Sequence, residues 1–102
     1  MIHVIATITV KPGKREAFLR EFARLVPDVR GEKGCIEYGP AVDLETGISV
    51  QEPCREDAVI VIEKWVDLEA LKAHSVAPHM AAYRERVKDI MVGTSLQILR
   101  NA

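Results

Sequence analysis

The stretch that most constrains this chain is Ala58 to Trp65, AVIVIEKW. Ala58 to Ile62 is a continuous aliphatic run rich in β-branched residues, which reads as a strand buried on both faces. Alternation puts Val59, Val61, Glu63 and the only tryptophan, Trp65, on one face, and Ile60, Ile62 and Lys64 on the other. A carboxylate and an indole therefore end a strand that is otherwise hydrocarbon. His74, His79 and Tyr83 follow within one helical region, close enough in sequence to fold back over that strand end. This combination marks the candidate site.

The rest of the chain must supply elements to cover such a strand. Ile2 to Val10 alternates, with Ile2, Val4, Ala6, Ile8 and Val10 on one face, and reads as a first strand. From about Lys14, Phe18, Phe22, Leu25, Val26 and Val29 recur at helical spacing, with Pro27 a late strain on the helix. Gly31 and Gly34 flank an acidic-basic turn, and Cys35 to Val42 reads as a second strand carrying Tyr38. The region from Asp43 to Asp57 is an elaborated hairpin connection, in which Ile48 to Gln51 could add a short extra strand. Leu68 and Leu71 begin a helical pattern that Pro78 interrupts. Met80, Tyr83, Val87, Ile90 and Met91 resume it, predicting two helical pieces with a turn near Ala77. Gly93 is expected to close the helix, and Ser95 to Leu99 to form a last strand.

The order β-α-β-β-α-β is the ferredoxin-like arrangement, an α+β fold with one antiparallel sheet and both helices on a single face. At 102 residues this is one domain, residues 1–102. The opposite sheet face would expose apolar side chains from strands one and three. A symmetric homodimer, packed sheet against sheet, is the simplest remedy.

Composition excludes several classes of function. Fourteen basic against fifteen acidic residues leave a net charge of −1, so no bulk field exists to hold nucleic acid or an anionic membrane. No apolar run approaches the roughly 20 residues that span a bilayer, and MIHVIATITV lacks a basic leader, so a cytoplasmic location is expected. Cys35 and Cys54 are too few and too far apart for a disulfide framework or a zinc knuckle. His74 and His79 stand at i, i+5, which does not place two imidazoles on one helical face, and no third ligand suggests itself; no metal site is expected.

Several segments together carry a family resemblance. The opening IHVIATITVKPGKREAFL, Gly34-Cys35 followed by Tyr38, the strand ending Glu63 to Trp65, and H-x-x-x-PHM-x-x-Y over His74 to Tyr83 resemble the antibiotic-biosynthesis monooxygenase family. The long connection after Tyr38 is most like that of its quinol monooxygenase branch. The resemblance runs nearly end to end. It implies a dimeric α+β barrel that oxygenates electron-rich phenols or hydroquinones with dioxygen, without metal, flavin or haem. Haem-degrading relatives carry an asparagine on the first strand and a histidine on the last helix. This chain has Ala6, Thr7 and Tyr83 there, so the resemblance does not extend to haem.

Such chemistry needs an apolar pocket for a planar ring, a base to form the anion and donors to hold the oxyanion. Within the resemblance, His79 is the expected base, with His74 as a second catalytic candidate. Trp65 and Tyr83 are expected to position the ring. Tyr38 is a second phenolic donor, and Arg86, seven residues after His79, could stabilise an anion. Glu63 would orient a histidine or pair with Arg84 or Arg86. Two other readings compete: an isomerase of the same fold, which would need a cationic phosphate clamp, and a non-catalytic dimeric module binding small aromatics.

Overall fold

The computed structural model describes residues Met1–Ala102. The elements are β1 (Ile2–Val10), α1 (Arg15–Arg30), β2 (Cys35–Ala41), β3 (Ala58–Trp65), α2 (Leu68–Ser75), α3 (Pro78–Val87) and β4 (Met91–Arg100). They form one four-stranded antiparallel sheet in the order β2-β3-β1-β4. This is the ferredoxin-like arrangement, with its second helix in two pieces.

The face assignments read from β1 and β3 hold. Val4 pairs with Glu63, Ala6 with Val61 and Ile8 with Val59, and all six are buried on the helix side of the sheet. Phe18, Phe22, Leu25, Val26 and Val29 of α1 are buried against them. The helix continues through Pro27 for three residues. The hydrogen bond that proline removes would have gone to the carbonyl of Ala23, which shares the exposed face, so water can take it. Pro78 stands at the first turn of α3 and holds Ala77 extended at φ −64°, ψ 143°, which breaks the rod between Ser75 and Pro78. No helix is long and apolar enough to cross a membrane.

Three expectations are corrected. Residues Ile48 to Gln51 form no strand. The Gln51 side chain instead gathers the loop, donating to the Leu44 carbonyl and accepting from Thr46 Oγ1, while Arg55 makes a two-pronged pair with Asp43. Gly93 does not close a helix, and Ile90 and Met91 are not helical. The chain leaves α3 at Val87, the Ile90 carbonyl accepts from Lys11 N–H, and β4 pairs with β1 from Met91 onward, through Gly93, with a bulge at the start. Long-range pairing outweighs the local helical spacing there.

The opposite sheet face presents Ile5, Ile60, Ile62 and Leu99, and the helices do not reach β4, which is exposed along nearly its whole length. One close contact matters for the site. Gly34 lies in the turn between α1 and β2 at φ +84°, its carbonyl accepts from Val66 N–H at 2.8 Å, and a Cβ there would stand 2.6 Å from Ala70 Cβ and 2.7 Å from Val66 Cγ1. Only glycine allows the α1–β2 turn to lie this close to α2. Gly34→Ala adds left-handed strain to a steric overlap and is expected to cost about 2–4 kcal/mol, read as a lower midpoint in urea unfolding.

Candidate active site

The sheet and helices enclose a cavity of about 280 Å³. Its floor is Val4, Ala6 and Ile8 of β1 with Val61 and Glu63 of β3, and its roof includes Phe22, Leu71, Met80 and Tyr83. Thr94 and Leu96 of β4 and Arg84 of α3 line it and are exposed, so the cavity opens along the edge of the sheet. Hydrocarbon dominates, and the polar groups are few: the Tyr38 and Tyr83 hydroxyls, Glu63, His74, Ser75, Thr94 and Arg84.

His74 lies in the last turn of α2, whose first turn is capped by Asp67 accepting from Ala70 N–H at 2.8 Å. Its imidazole packs against Trp65 with the rings tilted by 36° and their centroids 4.7 Å apart, with Tyr38 edge-on at 5.5 Å. Its Nδ1 lies 2.8 Å from Glu32 Oε2, and the same oxygen lies 2.8 Å from His79 Nε2. The bonds require Nδ1–H on His74 and Nε2–H on His79 if Glu32 is a carboxylate. His74 Nε2 makes no hydrogen bond, yet no buried polar side-chain atom lacks a partner, so Nε2 is accessible, and His74 is one of the residues lining the cavity.

Two expectations about the histidines are corrected here. The i, i+5 spacing does not keep them apart, because the break at Pro78 turns the start of α3 back toward the end of α2. A third group does join them: Glu32, from the turn that Gly34 presses against α2. Glu32 was not singled out from the sequence, since an acidic residue between two turn glycines looks like a solvated turn, and no local pattern marks it. Leu71 with His74, and Met80 with Tyr83, share helix faces at i, i+3, a signal that could have picked out more of the lining.

The structure distributes the other candidates unevenly. Tyr38, Tyr83, Glu63 and His74 line the cavity, whereas His79, Trp65 and Arg86 do not. Trp65 is fully buried behind His74, and its Nε1–H donates to Glu63 Oε1 at 3.0 Å, so it supports the site instead of stacking on a ligand. Arg86 faces α1 and donates to Glu21 at 3.1 Å. Glu63 has no arginine partner: Arg84 donates to the Ser75 carbonyl at 3.0 Å, and the ion pair expected for Glu63 is replaced by the indole bond.

Burial pushes both tyrosine pKa values well above the ordinary phenol range, with the nearby Glu63 charge adding to the effect at Tyr38. Both phenols therefore stay protonated at neutral pH, and neither hydroxyl has an internal partner, so they are available as donors into the cavity. Burial likewise raises the Glu63 carboxyl, opposed by the Trp65 hydrogen bond and the His74 charge.

An apolar cavity with one open imidazole nitrogen and two neutral phenols, on this fold, can be set beside known proteins. The sequence profile described as antibiotic biosynthesis monooxygenase matches residues 1–86. The chain belongs to the antibiotic biosynthesis monooxygenase family. YgiN of Escherichia coli (strain K12), named a probable quinol monooxygenase, is 41% identical over 102 residues, covering 98% of this chain and 97% of YgiN. Among solved structures, PA3566 from Pseudomonas aeruginosa superposes with a TM-score of 0.81 at 28% identity, covering 99% of this chain and 93% of that one. A conserved protein from Methanosarcina mazei Go1 gives 0.83 at 25% identity, covering 99% and 92%. This member of the family is therefore a monooxygenase acting on a small molecule with dioxygen.

The Glu63 shift has a testable sign. A carboxyl whose folded pKa is raised stabilises the fold below its unfolded pKa, about 4.3, and that contribution is lost as pH rises through the folded value. Glu63→Gln keeps an acceptor for Trp65 and removes the buried charge. The variant is expected to match wild type below about pH 4 and to gain on it as pH rises above that, until the folded carboxyl is ionised, in urea unfolding; a gap independent of pH would contradict the assignment.

Proposed function

We propose that this protein is a cofactor-free quinol monooxygenase in which His74 is the base. The observation that carries the reading is His74 itself: one ring nitrogen is held on Glu32, and the other is accessible, on a residue that lines an apolar cavity with two neutral phenols. A hydroquinone or related phenol fits the hydrocarbon walls, and its hydroxyl gives its proton to His74 Nε2. Glu32, bonded to Nδ1–H, fixes the tautomer and stabilises the imidazolium that forms, with His79 steadying Glu32 from the other side. Tyr38 and Tyr83 donate to the substrate oxygens.

The substrate then supplies the electrons. The hydroquinone anion passes one electron to dioxygen, giving a semiquinone and superoxide, and these recombine at a ring carbon as a hydroperoxide. Cleavage of the O–O bond leaves one oxygen on the ring as a new carbonyl, and the other leaves as water with the hydrogen of that carbon. In net terms a hydroquinone and dioxygen give a hydroxyquinone and water. Arg84, the single cation of the lining, is bonded to Ser75 and has no second cation beside it, which favours this reading over one that needs a phosphate clamp.

The active form in this reading is a homodimer joined through the sheet face, which would cover Ile5, Ile60, Ile62 and Leu99. Light scattering is expected to give the mass of two chains; a single-chain mass at assay concentrations would remove the dimer. For the chemistry, dioxygen uptake with a panel of reduced naphthoquinones and benzoquinones is expected to exceed the uncatalysed rate. His74→Ala is expected to lower it about a hundredfold or more. Uptake no faster than autoxidation, or a His74→Ala variant as fast as wild type, would overturn the proposal.

A further inference from the structure

Glu32, His74 and His79 come from three different elements, and their ligand-type atoms all lie within 4.8 Å of one another. Oε2 of Glu32 is 2.8 Å from each nitrogen, and the side chains of His74, His79 and Glu32 are 7%, 26% and 13% exposed. Two imidazoles and one carboxylate are the donor set of a divalent transition ion such as zinc, with metal–ligand distances of about 2.0–2.2 Å. Tetrahedral donors at that distance stand about 3.3 Å apart. Two of the three separations, at 2.8 Å, are shorter than this and the third is no more than 4.8 Å, so modest side-chain shifts would convert the hydrogen-bonded cluster into a coordination shell.

Two further features suit an ion. Trp65 packs against His74 and fixes its ring plane, as the surroundings of a metal ligand do. His79 reaches the surface, which leaves a route for the ion and a place for a water ligand.

We propose that Glu32 Oε2, His74 Nδ1 and His79 Nε2 form a binding site for a borderline divalent cation, Zn²⁺ or its spectroscopic substitute Co²⁺, and that its occupancy switches off the base. A metal bound at Nδ1 replaces the proton there. A neutral imidazole then carries its proton on Nε2, the accessible nitrogen. His74 becomes a donor toward substrate and can no longer accept a phenolic proton. The binding site stands on the geometry alone; the inhibition rests on His74 acting as the base.

The test uses the full chain, stripped of metal with a chelator, in a Cys54→Ser background. Cys54 is an exposed thiol close to Glu45 and the more accessible of the two free cysteines, so it is the stronger competing soft ligand. Titration with Co²⁺ is expected to give the visible bands of a tetrahedral N/O site, saturating at one ion per chain. Zn²⁺ calorimetry is expected to give the same stoichiometry. Glu32→Gln and His79→Ala are each expected to weaken binding about tenfold or more. Melting curves without metal show whether either variant is folded, and His79 is the more exposed position should Glu32→Gln fail. Absence of stoichiometric binding, or binding unchanged in both folded variants, overturns the site. Nitrogen NMR of the imidazoles decides the switch without any turnover: Zn²⁺ is expected to move the His74 proton from Nδ1 to Nε2, and an unchanged tautomer overturns it. In dioxygen uptake, Zn²⁺ is expected to inhibit wild type reversibly. A protein with no quinol turnover would sink the proposed function while leaving the Co²⁺ and NMR results to judge the metal site.

Discussion

A single carboxylate oxygen, Glu32 Oε2, holds the working end of this protein together. It takes a hydrogen bond from each of two imidazoles that belong to different helices, at 2.8 Å in both cases. Hydrogen bonds to a charged acceptor in a partly dry place contribute about 1.5–3 kcal/mol each, so the pair is comparable with a sizeable fraction of a small domain's net stability. The bonds exist because the α1–β2 turn lies against α2, and that approach depends on Gly34 having no side chain. The ring of His74, the tilt of α3 and the shape of the cavity roof all follow from this one junction.

The two carboxylates of the site are placed in opposite ways. Glu32 stands outside the cavity, where two imidazoles meet it. Glu63 lines the cavity among hydrocarbon, with one indole N–H as partner, and burial raises its pKa. Trp65 connects the two regions, since its ring backs His74 while its nitrogen serves Glu63. Of the two residues that end β3, the tryptophan backs the histidine and the carboxylate faces the cavity.

Much of the fold can be read from the sequence because it follows from short-range periodicity. Alternation in β1 and β3, and the helical spacing from Phe18 to Val29, each specify one face without reference to anything distant. The interruption at Pro78 is equally local. Where distant partners decide, the reading fails: Gly93 looks like a helix stop but is a strand residue, because β1 offers Met91 to Arg100 a partner along almost its entire length. The site divides along the same line. Tyr38, Glu63, His74 and Tyr83 are recognisable as polar groups on apolar faces. Glu32 carries no such mark, because its neighbours in space are 42 and 47 residues away in sequence. Arg86 and His79 have the right residue type and the right helix but the wrong direction, which spacing along one helix does not specify when a proline re-aims the axis.

Those separations also bear on how the molecule is made. The contacts of Glu32 with the two histidines close loops of more than forty residues, and β1 pairs with β4 from Ile2 to Arg100, so nearly the whole chain is enclosed by its first strand. Loops of this size lose much entropy on closure and place the fold among the slower, non-local topologies. No fragment of the chain contains the site. A partly folded molecule can hold α1 or a β2–β3 hairpin, but His74 acquires its fixed tautomer only when the α1–β2 turn has docked on α2 and α3 has come round behind it. The junction of Glu32 with the two histidines is therefore a late property of folding, and an incompletely folded chain exposes hydrocarbon before it brings the three together.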